Sequence, residues 1–368
     1  MLRYLTAGES HGDSLVGILE GMVAGVRVDQ DKIAAELKYR RNHLGRSNRM
    51  QLEDEEFEIL SGLRNELTTG APLAVRVKNR DKKELEDFVP RPGHADLAGC
   101  LKYGFKNIHL IAERASARET SLRVVLGVIA KCFLSNFKIE FISHTVKVGD
   151  LRNKQRYSFD YIKMKRFLSP IYCVEKQREI MMIEKIKEAE ATGDTIGGET
   201  EVMAKGLPVG LGSHVHYDRR LEYRLGGALL SIPGVKGLVF GNPKALGSVN
   251  NDPIIAQKGK IIRGSNYAGG LEGGISNGQE IIIRLMIKPP PSLRQEIESV
   301  DLRNNKPHPA PFLRGDTCVV PAAGIVAENV LALEIASYFL EKFGGDSLEE
   351  VKRNWSAYQK QLFTRVQK

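Results

Sequence analysis

Cysteine is scarce. The 368 residues hold four, Cys100, Cys132, Cys173 and Cys318. They stand far apart in apolar stretches and none shares a zinc-type spacing, so the pattern argues against a disulfide framework or a Cys-based metal site and suits reduced thiols in a core. Aromatic residues are only 7% of the chain, with a single Trp, too few for the stacking platforms that single-stranded nucleic acid needs. No apolar run approaches the ~20 residues of a spanning helix, and Met1-Leu2-Arg3-Tyr4 is not the start of an apolar signal core. A cytoplasmic protein with no membrane partner is expected. The chain also lacks a Pro/Gly/Ser-rich linker and any repeat of solenoid or propeller period, so one domain over 1–368 is expected.

What is present is close to the globular average, with 42% hydrophobic and 27% charged residues. Lys and Arg number 54 against 45 Asp and Glu, a net charge of +9, which points to an anionic partner, a phosphorylated small molecule or nucleic acid. Strand-like and helix-like periods alternate: strands at 2–7, 71–78, 200–205 and 280–287, helices at 30–41, 116–137, 176–190, 220–230, 327–343 and 348–366. This favours an α/β or α+β layered architecture. The cationic stretch 152–166 is expected to be a surface excursion.

Several motifs could carry chemistry. Gly8-Glu9-Ser10-His11-Gly12 has the form of a hydrolase nucleophile elbow, but too little chain precedes Ser10 to build the sheet and oxyanion donor that elbow requires. A Gly-rich turn is the alternative. Residues 38–49 gather Lys38, Arg40, Arg41, Arg46 and Arg49, a density suited to phosphate or carboxylate. A helix carboxyl end would account for Arg40 and Arg41 through its dipole, less well for Arg46 and Arg49. Arg91-Pro92-Gly93-His94-Ala95-Asp96 and Arg114-Ala115-Ser116-Ala117-Arg118-Glu119-Thr120 both fall at helix starts. Asp96 suits the positive end of a helix, and Ser116 with Glu119 has capping-box spacing. Neither role requires Arg91, His94 or Arg114, and a helix amino end beside arginine is an anion site. His214 and His216 lack further ligands for a metal set. His43, His109, His144 and His308 are isolated and read as structural. The glycines of 269–278 precede a strand ending in Lys288-Pro289-Pro290-Pro291-Ser292 and let a backbone approach a flat or phosphorylated ligand, without the spacing of a dinucleotide fingerprint.

Taken in order, and with Gly-Asp-Thr-Ile-Gly-Gly-Glu at 193–199, these motifs resemble the chorismate synthase family over nearly the whole chain. The resemblance implies an α+β fold, a β-α-β sandwich with pseudo-symmetric halves, assembled as a homotetramer. It implies an anti 1,4-elimination of phosphate from 5-enolpyruvylshikimate 3-phosphate to chorismate, in the shikimate pathway for aromatic amino acids. Reduced FMN would be required without net redox change, regenerated by NADPH either on the protein itself or through a separate flavin reductase. Carried over by motif, His11 would protonate the departing phosphate, His94 would set the protonation of reduced flavin, and Asp316 would draw a proton from flavin N5. Ser10, Arg40, Arg46, Arg49, Arg91 and Arg118 would hold substrate. FMN would contact Arg114, Ala115, Ser116, Pro233, Gly234 and Gly273, with Lys288, Pro289, Pro290, Pro291, Ser292 and Arg314. Two departures stand out. Arg314-Gly315-Asp316-Thr317-Cys318 has Gly where many members have His or Ser, and Pro233-Gly234 stands where others have Asn-Ala or Pro-Ala. A basic RNA-binding protein and a serine hydrolase are the rival readings.

Overall fold

A computed structural model of the chain describes residues 2–46, 55–80, 85–257, 260–312 and 315–367. Two antiparallel sheets face each other across long helices. The first runs in the order Arg3–Ala7, Ser14–Glu20, Leu73–Lys78, Phe57–Ser61. Its inward residues, Leu15, Leu19, Leu73, Val75 and Val77, are buried, while the outward face carries ion pairs such as Arg76 with Glu58 at 2.6 Å. This is the two-residue alternation of a sheet with one wet face. The second sheet runs Val235–Phe240, Ile281–Ile287, Gly198–Lys205, Glu140–Val148, Leu151–Arg152, with Ile281, Ile283, Leu285 and Ile287 turned to the core.

Helix Thr120–Ser135 lies on the first sheet and helix Val320–Phe343 on the second. Glycines set how closely these layers meet. A Cβ on Gly127 would sit 2.3 Å from Asn329 Cβ, and one on Gly324 would sit 2.7 Å from Ser143 Oγ and Thr200 Oγ1. Only glycine permits the helix–helix and helix–sheet approach at those points. The result is sheet, helices, sheet, each half supplying one sheet and one long helix, as the expected sandwich requires.

Three expectations need correction. Val320–Phe343 is 24 residues long and apolar enough to span a membrane by length and composition, but 94% of its apolar window is buried inside the protein, so the fold accounts for it as the core helix. It starts seven residues before the expected 327 because Pro321 occupies its first turn, where a missing N–H costs nothing. The expected helix 116–137 is broken. Ala117–Glu119 forms a 3₁₀ turn before Thr120–Ser135. Ser116 caps it through the Arg118 N–H at 3.2 Å, whereas Glu119 accepts from Thr6 and Arg123, both at 2.9 Å, so only half of the capping box forms. The stretch 152–166 is not wholly a surface excursion either. Arg166 is buried and donates to Glu328, which also accepts from Ser143 Oγ at 2.7 Å and pairs with Lys131 at 3.1 Å. Burial raises the Glu328 pKa, and these cations and hydrogen bonds more than offset it, holding the carboxyl below its ordinary value.

Candidate active site

Loops at the sheet ends enclose a cavity of about 750 Å³, within the range of small-molecule sites. Its walls come from the Gly8–Gly12 loop, segment 91–95, helix His109–Ala115, Pro233–Gly234, Lys288–Ser292 and Asp316. Side chains as far apart in sequence as Ser10 and Asp316 thus meet in one space. Asn79 holds the first loop by donating to Glu9 O and Gly12 O, each at 2.9 Å. The 193–199 motif holds two other walls: Thr195 Oγ1 donates to Pro290 O at 2.7 Å, and Ile196 N donates to Thr317 O at 2.8 Å.

Three histidines line the cavity, and two of them, His11 and His94, have Nδ1 in hydrogen-bond contact with a carboxylate. His11 Nδ1 lies 2.7 Å from Glu113 Oε1. Glu113 Oε2 accepts from the His11 N–H at 2.7 Å and from Ser10 Oγ at 3.0 Å. Burial raises the Glu113 pKa, but these bonds outweigh it and keep the carboxyl below its ordinary range. His94 Nδ1 meets Asp96 Oδ1. Asp96 is fully buried and clamped by Arg91, whose Nε and Nη2 donate at 2.7 and 3.0 Å. Burial alone would push Asp96 up; His94 and Arg91 hold it well below the carboxylate range. With Nδ1 occupied in both rings, Nε2 is the nitrogen left for a ligand. Ser10 Oγ donates to Glu113 Oε2 at 3.0 Å and also lies 3.2 Å from His11 Nδ1, but that nitrogen faces the Glu113 carboxylate at 2.7 Å, so the ring is not oriented as the base a serine nucleophile needs.

The arginines expected at the substrate divide into two groups. Arg91 lines the cavity, and Arg46 stands behind it, donating Nη1 to Asp316 Oδ2 at 2.5 Å. Arg40 and Arg118 are committed elsewhere. Arg40 is 1% exposed and bonds Glu55 Oε1 at 2.8 Å, Thr120 Oγ1 at 3.0 Å and Ala117 O at 3.0 Å. Arg118 donates to the same Glu55, to Asn79 Oδ1 at 3.1 Å and to Lys78 O at 3.1 Å. Neither lines the cavity. Arg49 lies outside the described residues, as does Arg314.

Among the residues expected at the flavin, Ala115, Ser116, Pro233, Gly234, Lys288, Pro289, Pro290, Pro291 and Ser292 all line the cavity. Arg114 does not. It donates to Thr6 O and Thr6 Oγ1, both at 2.8 Å, on an adjoining cavity of about 370 Å³ that shares Ala115, Ser116 and Pro233. Gly273 turns the hairpin Leu271–Glu272/Ile275–Ser276, away from the cavity lining. Asp316 accepts from Arg46, 270 positions away.

The sequence reading missed Glu113, Lys236 and His109. Lys236 faces the cavity, and its repulsion adds to burial in lowering the Lys288 pKa. His109, expected to be isolated, lines the cavity with Nδ1 4.0 Å from Glu113 Oε1. Burial lowers its pKa, and Glu113 opposes that only in part. The spacing of His109 and Glu113, one helical turn apart, was the available signal.

The sequence pattern of the chorismate synthase family matches residues 2–340. The chain is 43% identical to the chorismate synthase of Solibacter usitatus, over 98% of this chain and 99% of that protein. It is 44% identical to that of Carboxydothermus hydrogenoformans, over 97% and 98%. A crystal structure titled as a chorismate synthase superposes with a TM-score of 0.81 at 34% identity, covering 100% of this chain and 98% of that one. With likeness of that degree in sequence and fold over the whole length, the chain belongs to the chorismate synthase family and is a lyase.

Proposed function

We propose that this cavity removes phosphate from 5-enolpyruvylshikimate 3-phosphate by anti 1,4-elimination, giving chorismate for the shikimate pathway, with reduced FMN as cofactor. The observation that carries the reading is the pair of carboxylate-held histidines, His11 and His94, facing one cation-lined cavity. An elimination of this kind needs a trianionic substrate held, a leaving phosphate protonated and a proton accepted.

The wall residues suit a flavin. Pro233, Gly234 and the Pro289–Pro291 run offer a flat, largely apolar surface, and Gly234 at φ +88° keeps that wall free of a side chain. Ser116 and Lys288 supply polar contacts beside it. Held by these residues, reduced FMN would supply electron density to the substrate. The protein's own part is electrostatic and geometric. Arg91, Lys236 and Lys288 draw the anionic groups in. His11 Nε2 gives its proton to the phosphate oxygen as the C–O bond breaks. His94, fixed by Asp96, holds a proton at Nε2 toward the cofactor wall. The Asp316 carboxylate, oriented by Arg46, accepts a proton at the end of the cycle.

Assembly as a homotetramer, a cytoplasmic location and supply of reduced FMN from NADPH, directly or through a separate flavin reductase, belong to the same reading. Light scattering and NADPH consumption by the purified chain test the first and third. The central test is anaerobic incubation of the phosphorylated substrate with photoreduced FMN and no reductase. Chorismate should form; its absence from a folded, flavin-binding protein refutes the proposal.

A further inference from the structure

We propose that Glu113 is a positioning residue for His11, fixing the imidazole with Nδ1 protonated so that Nε2 is the nitrogen that exchanges a proton with the ligand. The inference rests on the reaction proposed above for its consequence, but not for its geometry. Helix His109–Ala115 brings Glu113 beside a loop 102 positions earlier. Four hydrogen bonds join the two. Glu113 O accepts from Ser10 N at 3.2 Å. Glu113 Oε2 takes the His11 N–H at 2.7 Å and Ser10 Oγ at 3.0 Å. The fourth, between Oε1 and His11 Nδ1 at 2.7 Å, is different in kind: the other three tie down the loop, and this one acts on the ring, whose Nδ1 also lies 3.2 Å from Ser10 Oγ. A neutral imidazole carries one proton, and the nitrogen facing a carboxylate keeps it.

The groups around the pair support an ionised Glu113. Its carboxyl is 14% exposed and accepts three hydrogen bonds, which outweigh burial and hold its pKa down. The nearest competitor, His109, approaches the same Oε1 only to 4.0 Å. Burial, Arg91 and His11 lower the pKa of His109 against the attraction of Glu113 and Asp87, so the carboxylate charge is directed at His11. His94 and Asp96 repeat the arrangement across the same cavity, with Arg91 taking the remaining carboxylate positions. After His11 gives up its Nε2 proton, the Nδ1–H form held by Glu113 is already the stable product, and no ring flip is needed before the next turnover.

Two variants and two readouts test this. Glu113→Gln preserves shape and an acceptor for Nδ1–H but removes the charge; Glu113→Ala removes both. In ¹⁵N-histidine-labelled protein, neutral His11 should show the Nδ1–H form in the wild type and in Glu113→Gln, and mainly the Nε2–H form in Glu113→Ala. In turnover, kcat should fall by about tenfold in Glu113→Gln and about a hundredfold or more in Glu113→Ala, within what a positioned acid contributes, while KM and FMN affinity change less than about threefold. Unchanged His11 nitrogen shifts in Glu113→Ala overturn the proposal. So does a pattern in which kcat and melting temperature fall while KM rises to a similar extent in both variants, since that pattern belongs to a loop tie and not to an oriented acid. The nitrogen shifts require no turnover, so a wild-type chain that forms no chorismate would refute the proposed reaction while leaving the result on Glu113 readable.

Discussion

Replacing Glu55 with Gln tests whether the arginine cluster is architecture or ligand. The Glu55 side chain has no exposed surface, and it meets Arg40 at 2.8 Å, Arg41 at 3.8 Å and Arg118 in a direct hydrogen bond. Arg40 is so deeply placed that burial lowers its pKa to about 10, against the opposing attraction of Glu55. At neutral pH it stays charged. Gln fills nearly the same volume and can still accept one hydrogen bond, so the change is chiefly the loss of one negative charge among three guanidinium groups. Removing one partner of a buried pair costs about 3–5 kcal/mol. An unfolding entropy of about 2.1 cal/mol/K per residue over 368 residues gives roughly 0.8 kcal/mol/K, so Tm should drop by about 4–6 °C. The assay is thermal unfolding by circular dichroism or calorimetry. A second signature follows from the same charges. The stranded cations should recruit an anion, so inorganic phosphate at tens of millimolar should recover part of the lost Tm in the variant and little in the wild type. A variant that melts within about 1 °C of wild type, with no phosphate effect, would show that Glu55 does not neutralise the cluster, and Arg40 and Arg118 would return as candidate substrate ligands.

Asp316→Asn should retain FMN and substrate affinity within roughly tenfold, about 1.4 kcal/mol, because the amide keeps the shape of the side chain beside Arg46; turnover should fall well beyond tenfold because an amide accepts no proton. Wild-type decay of the flavin absorbance signal in single turnover would remove Asp316 from the proton path. Acid stability reports on Asp96. Its folded pKa is lowered by His94 and Arg91 against the effect of burial, so its contribution is present above the unfolded value near 3.9 and lost as pH falls below it. Asp96→Asn should flatten the pH dependence of unfolding below about pH 4, and an unchanged slope would contradict the clamp.

Periodicity made part of the fold legible. Helix 30–41 is found as Gln30–Arg41, with Asp29 as its N-cap accepting from Lys32 N at 3.2 Å, because a cap and a buried stripe at Ile33 and Leu37 are both local signals. The start of Val320–Phe343 was not legible, because a helix buried on nearly every side has no polar face to mark its period and Pro321 reads as a break. The site divides in the same way. Ser10, His11, Arg91 and His94 sit in short motifs that announce themselves. Glu113 does not, since in His109-Leu110-Ile111-Ala112-Glu113 it resembles an ordinary one-turn helical pair, and only the packing of that helix against the Gly8–Gly12 loop turns it toward His11.

The arginines show where such reading stops. A run of cations announces positive charge but not what neutralises it. Arg40 follows the helical period into the core and finds Glu55, while Arg46, six residues on, reaches past the helix end to Asp316 at the cavity wall. Both lie in one segment of similar composition, yet Arg40 pairs with a fully buried carboxylate and Arg46 with one on the cavity wall. What separates them is a carboxylate supplied by another part of the chain. Net charge therefore overstates the field available to a ligand: the cations nearest the cavity are Arg91, which lines it and pairs with Asp96, Arg46, whose partner Asp316 lines it, and the wall residues Lys236 and Lys288, the pKa of Lys288 being lowered by burial and by Lys236.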